Sequence, residues 1–302
     1  MPRQSPSRIA GFVFLATLLV LAPVISTAGG LGIPTSEGGL GFGNLKNFTG
    51  VRFNLVDNKV ERVTGLNFTF WIPKKNPYAV YQGISIGLVG HRADLTQGVA
   101  MGLIGIGGGA FQGVAIGGIG VGADDIQGVA IGGLGVGADD IQGVAIGGLG
   151  VGANDVQGIA LGLLGVGGND MTGIAAGGLG VGGDDMTGVF LGGLGVGGDN
   201  LTGVFLGGLG VGGKNLTGVM AGLGAVGGDH LEGVAMALGY LKGGSLTGLG
   251  IGSYNNVKET TGLSIGIFNR ARVLNGIQIG LLNHAGNNPA GLQWLPGINA
   301  HF

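Results

Sequence analysis

QGVAIGGLGVGADDI, residues Gln127–Ile141, decides the fold reading, because the same fifteen-residue phrase recurs along most of the chain. Aligned on a polar residue followed by Gly, repeats begin at Gln82, Gln97, Gln112, Gln127, Gln142, Gln157, Thr172, Thr187, Thr202, Thr217, Glu232 and Thr247, always 15 residues apart. A chain made by copying one short phrase folds as an array in which each copy packs on its neighbours, not as a globular enzyme core.

Within a repeat, counted from its Gln or Thr, the second position is Gly. The third and fifth are apolar (Val129, Ile131), as are the eighth and tenth (Leu134, Val136) and the fifteenth (Ile141). Gly fills most of the sixth, seventh, ninth and eleventh positions, and Asp or Asn most of the thirteenth and fourteenth. Apolar spacing of two is strand spacing, whereas a helix needs a 3.6-residue period and tolerates this much Gly poorly. A Gly-Gly pair such as Gly132-Gly133 is where one short strand bends into the next.

The expected fold class is therefore all-β, a repeat array of 15-residue units, and two architectures fit it. In a β-solenoid each repeat is one coil, like residues stack at about 4.8 Å, and the apolar positions point inward. In an antiparallel outer-membrane-type β-barrel each repeat is one strand and a turn. The change of parity between the fifth and eighth positions leaves no polar strand face for a water-filled lumen, and the clearest alternating runs are shorter than the ~9–11 residues a membrane strand needs. Both points favour the solenoid. Against it, Asp125, Asp140, Asp155, Asp170 and Asp185 would form one column, and like charges at ~5 Å in water repel by about 1 kcal/mol per pair. Phe302, last in the chain after Ile298 and Ala300, also suits a barrel C-terminus.

The N-terminus reads as an export signal: Arg3 and Arg8, an apolar run Ile9–Ile25, and Ser26-Thr27-Ala28 as a small-residue cleavage site. Residues 1–28 are then signal peptide, 29–48 a Gly-rich lead-in, and 49–302 a single β-repeat array. Its degenerate N-terminal repeats span 49–96, its regular repeats 97–246, and its degenerate C-terminal repeats and cap 247–302. The absence of cysteine excludes disulfides and thiolate metal sites. Removing Arg3 and Arg8 leaves 12 cations against 16 acids. From Gln112 to Leu201 there are nine aspartates and no Lys or Arg, so no basic stripe exists for nucleic acid.

The degenerate repeats show alternation most plainly. Val51, Phe53 and Leu55 alternate with Arg52 and Asn54, and Ile277, Ile279 and Leu281 flank Gln278. The pattern predicts half-buried strands with the apolar residues inside. TGLSIGIFNRARVLNGIQIGLLNHAGNN (Thr261–Asn288), followed by LPGINAHF (Leu295–Phe302), resembles a bacterial surface-repeat family first labelled in spirochaetes and widespread in Gram-negative bacteria. That family shows repeated G-L-x-I-G-L-x-N strands after a signal peptide and closes on a Pro-Asn-aromatic tail. The likeness covers Thr261–Phe302 well and Thr49–Gly90 loosely. The central repeats depart from it, with Gly-Leu-Gly-Val-Gly in place of the Asn corner. The resemblance implies an exported, envelope-associated protein and carries no catalytic residues.

Chemistry is sparse. G-x-G-x-x-A, as at Gly133, Gly135 and Ala138, would bind a nucleotide only between a strand and a helix, and it recurs in most repeats. Asp124, Asp125, Asp139, Asp140, Asp155, Asp170, Asp184 and Asp185 could collect Ca²⁺, but the spacing is not that of calcium β-rolls. Several copies are also replaced, by Asn154, Asn169, Asn200, Lys214, Asn215 and His230. The Asp/Asn pair reads as a solvated turn. The column Thr172, Thr187, Thr202, Thr217 is one residue wide and is replaced by Gln in six repeats, so it reads as a ladder bonding coil to coil, not as an ice-binding array. His91, His230, His284 and His301 show no ligand spacing. The insertion Pro73–Tyr81, with Lys74-Lys75 and Asn76-Pro77, reads as a surface loop, its Tyr78 and Tyr81 as loop anchors or, alternatively, as a contact site. The expected function is a non-enzymatic exported surface or envelope scaffold with no catalytic, cofactor-binding or metal-ligating residues. The alternatives are an outer-membrane barrel acting as a pore or assembly element, and a calcium-stabilised solenoid. Neither nucleic acid nor nucleotide is expected as a partner; the outer membrane or another envelope component is the candidate.

Overall fold

The computed structural model describes residues 29–73 and 76–302; the signal-peptide reading of residues 1–28 and the Lys74-Lys75 pair lie outside the described residues. The fold is a β-solenoid, and among the described residues there is no helix. The chain divides into two compact blocks, the first ending at Gly132 and the second running from Gly133 to Phe302.

In the second block each repeat is one coil. Asp140–Gly147 is a strand, Gly148-Leu149 a bend, and Gly150–Gly152 a short strand, after which the chain turns through Ala153-Asn154 into the next coil. The glycine pair at positions six and seven thus makes the corner assigned to it. Successive coils pair in parallel with a 15-residue offset: Asp140 opposite Asp155, Gly147 opposite Gly162, Gly150 opposite Gly165. Parallel pairing of every coil with the next corrects the barrel alternative, which requires antiparallel neighbours. The Asp column is formed (Asp140, Asp155, Asp170, Asp185), so repulsion did not decide the matter. The carboxylates stand in water, where such charges are weakly coupled. Neutral and reversed copies also donate into the columns, Asn200 Nδ2 to Asp185 Oδ1 and Lys214 Nζ to Asp199 Oδ2, both at 2.5 Å.

The core corrects the expectation that all apolar positions point inward. Buried residues are the tenth (Val151, Val166, Val181), the fifteenth (Ile141, Met171, Leu201) and the fourth (Ala145, Ala160, Phe190, Phe205). The third, fifth and eighth point outward. Alternation explains it: from position fifteen through the second, fourth and sixth, one strand keeps a single inward parity, and the third and fifth are then necessarily outside. Gly at the second position is demanded by the stacking. Its φ runs from +112° at Gly233 to +147° at Gly276. A Cβ on Gly203 would stand 2.0 Å from the Gly188 carbonyl oxygen of the coil before.

The block ends by reversing direction. Trp294–His301 pairs antiparallel on Phe268–Ala285, with Ile279 opposite Ile298, and closes the parallel ladder. Phe302 beyond it is 88 % exposed, so it fills no core position in the fold.

The first block follows the same scheme. The ladder starts within the segment read as a lead-in, since Gly38–Gly43 stacks in register on Asn47–Asn54. Gly30–Pro34 pairs antiparallel on its outer edge. The insertion before Tyr81 is absorbed without loss of register, Thr64 lying opposite Gln82 and Gly65 opposite Gly83. Gln82, Gln97 and Gln112 form part of the expected ladder, with side-chain bonds of 2.8 Å between coils; the rest of the column, Gln127, Gln142, Gln157 and Thr172, Thr187, Thr202 and Thr217, makes no such bond.

A candidate interaction surface and a buried polar cluster

The third and fifth positions of the second block stand side by side on the outside of the long strand, and the seventh and eighth form the corner beside them. From Val144 to Gly239 every residue in these four columns is Gly, Ala, Val, Ile, Leu or Met. The side chains are exposed: Ile174 is 45 % exposed, Leu209 63 % and Leu238 70 %. The fifth, sixth and seventh columns, from Ile146 to Ile251, line one groove of about 1110 Å³. Its floor is Gly147, Gly162, Gly177, Gly192 and Gly207; Leu161, Leu191 and Leu206 form a wall, and Ala176 and Ala221 leave notches in it. Seven coil-to-coil steps at ~4.8 Å give the groove a length of about 34 Å. Isolated exposed Leu residues are ordinary on a protein, but a continuous apolar stripe of this extent marks a contact surface.

Polar residues occupy the other half of the same strand, at the fourteenth and first positions, where Asp170 and Thr172 are exposed. Gly at the second position separates the two halves. The coil is thus amphipathic along its own outer strand, which no inward-only assignment of the apolar residues allows.

At the end of this block the pattern inverts. Ser264, Gln278, Asn255, Asn269 and Asn283 are inside, whereas Ile267, Ile279 and Leu281 are outside, Leu281 at 76 % exposure. The asparagines stack at the ninth position, Asn255 Nδ2 donating to Asn269 Oδ1 and Asn269 Nδ2 to Asn283 Oδ1, each at 2.7 Å. Each also donates to a backbone carbonyl, Ile265 O or Ile279 O at 2.9 Å for the first two. The expectation that Ile277, Ile279 and Leu281 face inward is corrected accordingly. Tyr254 and Phe268, which continue the eighth column, stack at 4.9 Å, and Phe268 stacks on Trp294 at 5.8 Å.

The first block inverts in the same sense. Arg52 is 0 % exposed, and Phe53 and Leu55 are on the surface, the reverse of the sequence expectation. Phe42, Phe53 and Phe68 stack along the outside at 5.8 and 5.0 Å. Inside, Arg52 pairs with Asp57 at 2.5 Å and donates to Asn67 Oδ1 at 2.8 Å and Leu45 O at 2.6 Å. Asp57 also accepts from Asn54, Thr69 and Tyr81. Burial alone would raise the Asp57 carboxyl, but the Arg52 charge and those donated bonds outweigh it and hold it below the ordinary carboxylate value. Burial, and then the Asp57 charge, push the Tyr81 hydroxyl well up. His91 contacts Ser85 Oγ at 3.0 Å and Thr96 Oγ1 at 2.9 Å, and burial lowers it to about 4 against the opposing pull of Asp57. Asp57 and both ring nitrogens of His91 are already engaged within the fold, so the cluster holds coils together.

The other residues singled out from sequence stand apart. Among the described residues no three carboxylates or imidazoles converge into a cation cage. The Gly135 and Ala138 motif falls on a short strand and its turn, with no helix after it. In the insertion, Asn76 is buried, accepting from Val60 N at 2.9 Å and donating to Tyr81 at 3.1 Å, while Tyr78 is exposed. Sequence reasoning missed the fourth column. Its signal was the run Arg52, Asn67, Ser85 in one block and Phe190, Phe205, Met220 in the other, residues that vary in size and polarity at a position otherwise held by Ala. The chain matches no family model, no curated protein and no solved structure.

Proposed function

We propose that the chain is an exported, non-enzymatic scaffold of the bacterial envelope that acts through its apolar outer face. The observation that carries this reading is the inside-out distribution of polarity: an uncharged, contiguous aliphatic surface outside, and polar residues at the core of the end coils. A surface kept free of charge over seven coils is a contact surface. The N-terminal export pattern and the resemblance of Thr261–Phe302 to the surface-repeat family support the address. Fractionation of cells making the full chain tests it. The expected result is a processed protein in the envelope, retained through a high-salt wash and released by detergent. An unprocessed chain in the cytosolic fraction would refute the reading.

A further inference from the structure

Resting on that scaffold reading, we infer that the apolar face of the second block is seated in the acyl layer of one lipid leaflet, with the solenoid lying on the membrane. Four features select this occupant.

The first is the backbone. Coil-to-coil bonding pairs most of the face without help from outside, the exceptions being seventh-column corner groups, Gly148 N and Leu163 N and the carbonyls of Gly148, Leu163, Gly178 and Gly193. The eighth-column corner residues donate along the stack, Leu179 N to Leu164 O and Leu194 N to Leu179 O at 2.6 Å, and Leu164 N to Leu149 O at 2.7 Å. A surface entering hydrocarbon must have its backbone groups paired, a condition that the strands and the eighth-column amides meet.

The second is the inverted end coils. Polar inside and apolar outside is the arrangement of β-structure that faces lipid. In water it would expose Ile267 and Leu281 while burying Asn269 and Gln278, to no advantage.

The third is what the face lacks. From Val144 to Gly239 it offers no aromatic or Arg anchor and no hydrogen-bonding side chain, and each ~4.8 Å step repeats the last. A protein partner draws its affinity from such anchors and its register from polar contacts. Acyl chains need neither. The same lack of anchors and register applies to a second copy of this chain.

The fourth is charge. The block carries ten Asp and Glu against five Lys and Arg, and its aspartate columns from Asp139 to Asp199 have one neighbouring cation, Lys214. An anionic lipid surface would repel these columns, and a zwitterionic one accommodates them. The Tyr254, Phe268 and Trp294 stack continues the corner column, as aromatic residues do at a membrane surface.

Flotation of the full-length protein with phosphatidylcholine vesicles tests the inference. Binding is expected to survive 1 M salt and to weaken when phosphatidylglycerol is added. Leu191→Lys with Leu206→Lys, on the groove wall, is expected to lower the partition coefficient by about tenfold or more. Thr187→Lys with Thr202→Lys, in the polar column of the same coils, leaves it within twofold. Should the wall variant lose its β-sheet circular dichroism, Leu194→Lys with Leu209→Lys at the exposed corner replaces it, with the same expectation. Protein that stays at the bottom of the gradient with vesicles overturns the inference. So does equal flotation of both Lys pairs, or a stable dimer in solution that the wall variant converts to monomer. Envelope retention in cells combined with failure to float leaves the scaffold reading standing and removes the lipid; a cytosolic, unprocessed chain removes the scaffold reading itself.

Discussion

Substituting Gly188 by Ala tests how strictly the second column fixes the stack. Gly188 has φ +138°, and a Cβ there would lie 2.0 Å from the Gly173 carbonyl oxygen and 2.9 Å from its carbon. A side chain at such a dihedral costs about 1–3 kcal/mol. Relieving the overlap separates two coils and weakens adjacent ladder bonds worth about 1 kcal/mol each. The sum is about 3–5 kcal/mol, or a fall in Tm near 10 °C for a block of this size. Gly182→Ala is the matched control: its φ is ordinary and the nearest atom to a new Cβ is Gly197 O at 3.8 Å. It is expected to be neutral or to raise stability by up to ~1 kcal/mol through the unfolded chain. Thermal unfolding by circular dichroism reads the difference. Hydrogen exchange places it, with protection lost first around Gly173 and Gly188 because each coil touches only its neighbours. If Gly188→Ala melted within 1–2 °C of the parent, or if both variants fell together, the second column would not set the coil spacing.

Three further outcomes follow from the interior. His91 is held at about 4, against 6.5 in the free chain, so between those pH values the unfolded chain binds a proton that the folded chain does not. Stability is therefore full above pH 6.5 and falls on acidification toward pH 4, by roughly 3 kcal/mol; urea melts of the parent and His91→Gln at pH 7 and 4.5 should show a drop that the variant lacks. Arg52→Met leaves Asp57 buried without its cation and is expected to cost about 3–5 kcal/mol, whereas Arg52→Met with Asp57→Leu recovers part of that loss in the same melts. Phe205, 0 % exposed and stacked at 5.6 Å on Phe190, should cost about 3–4 kcal/mol on truncation to Ala; a loss under 1 kcal/mol would mean the coil collapses onto the cavity.

The repeat made the ladder legible in the sequence. A 15-residue period, strand spacing and glycine corners lead directly to parallel coils; of the expected Gln and Thr ladder only the Gln82–Gln97–Gln112 steps are bonded, and the shorter Thr172, Thr187, Thr202 and Thr217 side chains do not reach from coil to coil. What stayed hidden is which side of the strand is inside. Apolar residues read as core because water usually makes them so, but Ile141 and Val144 have opposite parity on one continuous strand and cannot both be buried. Ala145, too small to register as a core residue in one repeat, holds the inward position that Phe190 and Phe205 fill further on. Arg52 was hidden for the same reason, since its burial is stable only with Asp57, a partner fixed by the coil and not by local pattern. The outward face followed once the parity was known.

The direct test of the inside-out coil is a thiol scan, made clean by the absence of cysteine in the chain. Ile174→Cys, Ala175→Cys and Ala176→Cys, each in otherwise unchanged folded protein without lipid, would be reacted with a small maleimide. With Ile174 45 % exposed and Ala175 2 % exposed, the account predicts fast labelling at 174 and 176 and labelling at 175 only on unfolding. Fast labelling at 175 with protection at 174 and 176 would put the aliphatic columns inside and contradict it.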